Sequence, residues 1–404
     1  MDRLAPHGLA GATLRIPAQM TSLSRMLVVA NTDWFLANFM APFLASHVRA
    51  GIEIVAASPA GKYVDKLERA GIRWAEIPMS RGRGSIGSNL ATMASIRRLE
   101  RETRPDLVHL VTAKSVIFGN LALSGRDGPG VINVLPGLGH AFSASGVPAW
   151  IDRHALLWGI RWAASRRRAL TVFHQAADRE RILGRGGATR RRCRIIPGWG
   201  VDLARFSRAS RAQEPPLVVM VSRMLWSKGV GDYVQAAQIC REATDARFVL
   251  VGDSDPGNPF PIPAGQLEDW HKTGWIEWWR HRDDIPEVLA QASVFVLPTR
   301  YGEGVPQALI EAAAIGIPIV ASDLPGCREV VEQGVNGWLV PPGDSGRLAE
   351  AILGLLRDPE LRRRMGAEGK ELARQRFAEE RIRAQYGDVY RELGLDWRAA
   401  GGDR

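Results

Sequence analysis

Two carboxylates draw attention by their spacing. Glu303 and Glu311 lie eight residues apart in PTRYGEGVPQALIEAAAIGIP, residues 298–318. The apolar run 294–297 has strand composition, a Gly-rich turn follows at 302–304, and Pro306 presets φ for the first position of a helix. One glutamate then sits in the turn and the other inside the helix, on the order of 12 Å away at about 1.5 Å per residue. That is the reach from a nucleotide's ribose to a sugar on its diphosphate. Between them, the exposed N–H groups and positive dipole of the helix start form an anion site. The set suits a sugar nucleotide held by both ends. Taken alone, it also fits a strand-turn-helix unit with two surface glutamates.

A second segment, SRMLWSKG at 222–229, follows another apolar run and precedes a helical pattern. Arg223 and Lys228 therefore lie on a loop at a strand's carboxyl end. A diphosphate needs such a pair there: a guanidinium that binds two oxygens and a mobile ammonium. Two cations and two carboxylates at strand ends of one sheet are harder to read as ordinary surface charge.

The elements that position them recur along the chain. Strand-like runs fall at 26–30, 52–58, 106–111, 130–135, 170–174 and 194–197, with helical patterns such as 39–49 and 89–104 between them. Polar, basic DLARFSRASRAQEPP at 202–216 interrupts the rhythm. It resumes at 217–221, 247–252, 275–279, 294–298, 318–322 and 337–341. Apolar strands alternating with amphipathic helices predict two parallel α/β domains, each covered on both faces. The expected division is 1–24 as a disordered extension, with Met20 or Met26 equally placed as a start, and 25–201 as a first domain. It continues with 202–216 as linker, 217–378 as second domain, and 379–404 as a helix and tail packing back on the first. Ligands of such sheets bind at the strands' carboxyl ends, and both sets of ends are expected to face one cleft.

Composition limits the alternatives. The 404 residues include 46% hydrophobic and 24% charged side chains, enough apolar material for two cores. No apolar run reaches the roughly 18 residues of a membrane span. Cys193, Cys240 and Cys327 are scattered in apolar segments and read as core residues of a cytoplasmic protein, neither a disulfide frame nor a metal site. A net charge of +10, with arginine clusters at 166–168 and 190–192, fits an anionic partner. The basic residues are dispersed and carry no nucleic-acid-binding motif, so nucleic acid is not expected. Neither domain's first strand is followed by G-x-G-x-x-G, which argues against a dinucleotide dehydrogenase.

Arg223 with Lys228, Gly252-Asp253, and GEGVPQALIEAAAIGIPIV with its E-x7-E pair resemble the donor site of family 4 glycosyltransferases. These are retaining, metal-independent enzymes of the two-domain GT-B fold, and the resemblance covers nearly all of residues 25–393. A narrower set is similar to bacterial enzymes that add N-acetylgalactosamine or related sugars to undecaprenyl-diphosphate-linked saccharides. It comprises ANTDWFLANF (30–39), HLVTAKSVIFGN (109–120), NVLPGLGHAFSA (133–144), GVDLARF (200–206), VSRMLWSKGV (221–230) and GDSDPGNP (252–259) with WWRHRDDIPEVLAQA (278–292).

The resemblance implies that Arg223 and Lys228 neutralise a UDP-sugar's diphosphate, and that Glu311 accepts hydrogen bonds from the ribose. Glu303, with the N–H groups of Gly304 and Val305, would hold the transferred sugar and the β-phosphate. Gly252 belongs to the same donor site, and 281–284 (HRDD), with Arg282, would pack against the base. No metal or other cofactor is implied. On the acceptor side it implies Asn31, Thr32, Gly139 and His140, with Lys114 for the acceptor's own diphosphate. Many family members carry histidine where this chain has Leu135-Pro136, so His140 reads as a cleft-lining residue, His109 as structural, and His174-Gln175 as a doublet that tunes the acceptor site.

The basic, tryptophan-rich segment 148–169 suits either an interfacial helix on anionic lipid or a helix covering the first sheet. On its stripes, His154, Arg161, Ser165 and Arg168 share one face, with Trp150, Leu157, Trp158 and Trp162 on others. The expectation is thus a hexosyltransferase or N-acetylhexosaminyltransferase of bacterial surface glycan assembly. It would be peripheral on the inner face of the plasma membrane and act on a polyprenyl-diphosphate-linked saccharide. The alternatives are a sugar-nucleotide epimerase of the same fold and a transferase using a GDP-sugar.

Overall fold

Runs rich in Val, Ile and Leu become the buried strands of two parallel sheets. The computed structural model describes residues 20–80, 82, 84–123, 128–137, 147–184, 188–207, 214–258 and 260–397. They fall into two units: residues up to 135, Ile151–Ile195 and the chain from Ala384 in the first, Pro136–Trp150 and Ile196–Arg383 in the second.

In the first unit the strands are β1 (Thr21–Ser22), β2 (Arg25–Val29), β3 (Glu53–Ser58), β4 (Arg73–Glu76), β5 (Leu107–Val111), β6 (Gly130–Leu135), β7 (Ala169–Phe173) and β8 (Cys193–Ile195). Seven of them form one sheet in the order β4-β3-β2-β5-β6-β7-β8, every pairing parallel. β5, β6 and β7 are buried at every position, as central parallel strands covered on both faces must be. The sequence gives no sign of β4, RWAE, because a partly exposed edge strand needs no apolar run.

The second unit holds β9 (Leu217–Val221), β10 (Arg247–Val251), β11 (Glu277–Trp278), β12 (Val294–Leu297), β13 (Ile319–Ser322) and β14 (Gly337–Val340). Their order is β11-β10-β9-β12-β13-β14, again all parallel. Tyr233, fully buried, ties the centre together: its hydroxyl donates to Val218 O (2.8 Å) and accepts from Val249 N (3.0 Å). The expected strand 275–279 shrinks to two residues, and Trp275 is exposed.

The boundaries differ from those expected. Val201, expected to close the first domain, and Phe206, in the expected linker, are both buried in the second core, and Val201 exchanges backbone hydrogen bonds with Phe377 O (2.8 Å) and Glu379 N (3.0 Å). Leu203 and Phe206, the two large apolar side chains of the polar stretch, draw its start onto that core. The expected disordered extension also contains structure, because β1 pairs in parallel with β15 (Leu395–Asp396) and Leu23 is buried behind it. Residues 1–19 lie outside the described residues.

The helix Glu379–Glu392 buries Tyr386, Val389 and Tyr390. Their neighbour His47 presents Nδ1 to Phe43 O (2.9 Å), so Nε2 is left to accept from the Tyr390 hydroxyl (3.2 Å). Trp397 stacks flat on the same ring, centroids 4.4 Å apart. His109, wholly buried, lies against Tyr386 and Tyr390 at 5.8 and 5.7 Å. Burial, with a smaller push from His47, lowers its pKa to about 3.

An unfolded histidine binds its proton near pH 6.5. The stability His109 contributes is therefore complete above that pH and is lost as pH falls toward 3, by about 1.4 kcal/mol per unit. A His109→Phe variant should lose less stability than the wild type between pH 7 and pH 5 in urea denaturation. Identical losses would contradict this assignment.

Candidate functional site

Chemistry in the second unit concentrates on the loops that leave β9, β10 and β12 at their carboxyl ends. After β9 the chain makes one 3-10 turn, Trp226–Lys228, and enters the helix Val230–Arg241 through Gly229. Gly229 has φ +76°, and a side chain there would run into the carbonyl of Pro298. That close approach lets the loop after β12 lie on the loop after β9. Ser227 O accepts from Arg300 N (2.9 Å) and from the Thr299 hydroxyl (3.3 Å).

The stitching brings Lys228 and Glu303 together as an ion pair, with side chains only 12% and 16% exposed. Burial pulls the Lys228 pKa down, but the charge and hydrogen bond of Glu303, with Tyr301, outweigh it, and the net shift is upward. The ammonium keeps its charge. Arg223, from the same loop, pairs with Asp255 at 2.9 Å and hydrogen-bonds the Tyr301 hydroxyl, whose own pKa is raised chiefly by burial. Three of the expected residues, Arg223, Lys228 and Glu303, thus meet around one tyrosine.

Gly252, expected to bind the donor, serves the backbone: at φ +137° it passes so close to Ser222 O that no side chain fits. Its carbonyl accepts from Trp278 Nε1 at 2.8 Å. Arg282 is paired with Asp284 in a two-pronged contact and lies 5.9 Å from the Trp279 ring.

Pro306 proves to be the N-cap, not the first helical residue. Its ψ of 119° is extended, and the helix runs Gln307–Ile315. Its carbonyl already accepts from Leu309 N, as an N-cap must. No side chain caps this helix start, and Gly304 and Val305 are buried just ahead of it. Glu311 lies one turn inside. Burial raises its pKa to about 7 against the lowering effects of Arg205 and a hydrogen bond from Gln307.

The sequence reading missed Asp232, Asp255, Arg300 and Tyr301. Asp232 is buried and takes a two-pronged contact from Arg300, with Ser345 as a further donor. Arg300 and Tyr301 stand inside the 298–318 stretch and Asp232 just after Lys228, so proximity was the only available signal.

Among the first unit's expected residues, Thr32 caps the helix start by accepting from Phe35 N (3.1 Å), beside half-buried Asn31. The Lys114 ammonium donates to Ser80 O, Ser80 Oγ and Gly82 O at 2.8–2.9 Å and anchors that loop. His174 and Gln175 are buried, and Gln175 donates to Asp178 (2.7 Å). Gly139 and His140 lie outside the described residues.

The helix Val147–Ser165 buries Ile160, Ala163 and Ala164 and exposes Trp150 (57%) and Trp158 (70%). Trp158 therefore joins His154, Arg161 and Ser165 on the exposed face, not a separate one. No helix among the described residues is long and apolar enough to cross a membrane. Also among the described residues, no three His, Cys, Asp or Glu side chains group as metal ligands.

Two units of parallel sheet with these topologies are the GT-B architecture of glycosyltransferases. A solved structure described as Anabaena Alr3699/HepE in complex with UDP and glucose superposes with a TM-score of 0.73. It is 21% identical and covers 91% of this chain and 99% of its own. Sucrose-phosphate synthase from Thermosynechococcus elongatus gives a TM-score of 0.73 at 19% identity, over 92% and 99% of the two chains. The chain belongs to the glycosyltransferases: residues 204–372 match the family described as Glycosyl transferases group 1, and residues 25–148 that described as Glycosyl transferase 4-like.

Among curated relatives, N,N'-diacetylbacillosaminyl-diphospho-undecaprenol alpha-1,3-N-acetylgalactosaminyltransferase of Campylobacter jejuni is 26% identical, over 84% of this chain and 90% of its own. UDP-Gal:alpha-D-GlcNAc-diphosphoundecaprenol alpha-1,3-galactosyltransferase of Escherichia coli is 25% identical, over 69% and 73%.

The Asp232–Arg300 clamp gives a stability test. Arg300→Met leaves a buried carboxylate without its cation and should cost on the order of 2 kcal/mol, a figure reduced for the exposure of Arg300. Adding Asp232→Asn should recover most of that loss in chemical denaturation. A double variant as unstable as the sum of its parts would contradict the clamp.

Proposed function

We propose that this enzyme transfers a hexose or N-acetylhexosamine from a UDP-sugar, with retention of configuration, to a polyprenyl-diphosphate-linked saccharide. The observation that carries the reading is the buried Lys228–Glu303 pair beside Arg223 at the carboxyl ends of β9 and β12. Fixed charges in a water-poor site stabilise charge that develops during reaction more strongly than charges in water. The names of the Campylobacter jejuni and Escherichia coli relatives support the lipid-diphosphate acceptor, and the latter supports the UDP donor.

In this reading the bond between the sugar's C1 and the β-phosphate oxygen breaks with both electrons going to UDP. Arg223 and Lys228 neutralise the developing charge. The acceptor hydroxyl forms the new bond on the same face of the sugar, and its proton passes to the leaving phosphate. Glu303 holds the sugar's hydroxyls, with the N–H groups of Gly304 and Val305 toward the β-phosphate. Glu311 accepts from the ribose. The two cations carry the charge that a divalent ion would otherwise supply, so transfer is expected to proceed in EDTA.

The sites make different demands. Glu303→Gln should lower kcat at least a hundredfold, the scale of losing one group aimed at the transition state. Glu311→Gln should mainly raise the donor KM. The assay is transfer from a panel of radiolabelled UDP-hexoses and UDP-N-acetylhexosamines to a polyprenyl-diphosphate-linked saccharide. Equal kcat losses at unchanged KM in both variants would contradict the division of roles.

A lipid-borne acceptor also calls for a membrane-facing surface, and the exposed Trp158 with Arg161, Arg167 and Arg168 fits an anionic bilayer on the cytoplasmic side. Each arginine near such a surface is worth about 1 kcal/mol. Trp158→Ser with Arg167→Gln and Arg168→Gln should weaken sedimentation with phosphatidylglycerol vesicles roughly tenfold or more. Unchanged partitioning would leave the helix as a sheet cover alone.

A further inference from the structure

The loop after β10 brings only Gly252 to the donor site as read from the sequence, yet it is fastened along the loop after β9 that carries Arg223 and Lys228. Two isolated bridges pair Met224 with Ser254 and Leu225 with Pro261. Met224 N donates to Asp253 O (2.9 Å), Trp226 N to Phe260 O (3.1 Å), and Ile262 N to Met224 O (3.0 Å). The Ser254 hydroxyl donates to Ile262 O at 2.6 Å and closes the two arms of the second loop on each other, while Asn258 N donates to Asp255 O (2.9 Å) between them. Met224 and Leu225 are fully buried. Arg223 therefore leaves a backbone that is laced to its neighbour. From that neighbour Asp255 reaches back, one carboxylate oxygen accepting from Arg223 Nη1 at 2.9 Å. The two side chains are 30% and 20% exposed, so the pair is sheltered without being sealed from solvent.

We propose that Asp255 is a positioning residue of the diphosphate site: it holds the Arg223 guanidinium in the orientation that meets the donor's diphosphate and does not touch the donor itself. A long side chain that keeps its rotamers until a ligand arrives must be ordered by the ligand, which lowers affinity. A guanidinium tied to a carboxylate on a rigid loop has lost that freedom on folding. Its five N–H donors lie in one plane, so a carboxylate on one side and a phosphate on another can be bound together. Charge alone predicts the opposite effect. Asp255 is an anion beside a site for an anion, and if it acted only through its field its removal would tighten UDP binding. Positioning and repulsion thus differ in sign. A role confined to holding the two loops together would lower the affinities of UDP and uridine alike.

This inference rests on the donor-site reading, and one set of titrations separates their failures. UDP and uridine affinities are measured by calorimetry at a fixed pH for wild type, Asp255→Asn, Asp255→Ala, Arg223→Ala and the Arg223→Ala/Asp255→Ala double variant, with thermal melting of each. Asp255→Ala should weaken UDP binding roughly fivefold, the upper end for an ion pair that keeps some exposure, and leave uridine affinity unchanged. Asp255→Asn keeps an acceptor oxygen in place and should fall between Asp255→Ala and wild type. In the Arg223→Ala background, Asp255→Ala should cause no further loss, because no guanidinium remains to be held. Should Asp255→Ala fail to melt cooperatively, the near-isosteric Asp255→Asn carries the same comparison. UDP binding that is unchanged or tighter in the Asp255 variants, a matching loss for uridine, or an equal loss in the Arg223→Ala background overturns the assignment of Asp255 alone. A wild type that binds UDP no better than uridine overturns the donor-site reading and this inference with it.

Discussion

The second unit is organised around a charge pair that folding alone would not favour. Removing an ammonium and a carboxylate from water costs several kcal/mol per ion, and their attraction repays that only when geometry and further hydrogen bonds are good. Lys228 and Glu303 come from different loops, so those loops must be locked before the pair can form. Gly229 lets the loops approach, Ser227 O bonds the second loop, and Asp232 with Arg300 clamps it. The consequence is a cation and a carboxylate held ready at the strand ends. In the proposed function, a diphosphate arriving there would compete with Glu303 for Lys228 and free the carboxylate for the sugar.

The chemistry-bearing residues were legible because their types are unusual at those positions. A lysine before a glycine at a strand end, and two glutamates eight residues apart, one in a glycine-rich turn and one in the helix after it, have few structural uses, and Arg223, Lys228 and Glu303 do converge. Their partners were not legible. Asp232, Asp255 and Arg300 look like ordinary surface charges until the loops are folded together. Nor were the partners of Lys114, three acceptors of the loop at Ser80 and Gly82 that engage its ammonium. Pro306 misled by one position, since proline fixes φ without fixing ψ, and ψ separates an N-cap from a first helical residue.

The parallel sheets were equally clear where strands are central, for a strand buried on both faces is written as an apolar run. Edges and joins were not. β4 is half polar, 275–279 has the composition of a strand but pairs over only two residues, and Phe206 pulls a basic, polar stretch into a core. In the first unit, the aromatic cluster of Phe43, His47, Tyr386, Tyr390 and Trp397 unites residues from the two ends of the chain. Such long-range packing leaves no periodic trace. His109 is buried as a position of the central strand β5, and that cluster lies against its ring.

The proposed function requires that Arg223 and Lys228 recognise a diphosphate. Calorimetric titration of the intact protein with UDP, UMP and uridine, in EDTA, tests it most directly, repeated with Lys228→Ala and Arg223→Ala. UDP should bind much more tightly than UMP, and either variant should remove most of that difference while leaving uridine affinity little changed. Equal affinity for UDP and UMP in the wild type, or an undiminished preference in both variants, would contradict it.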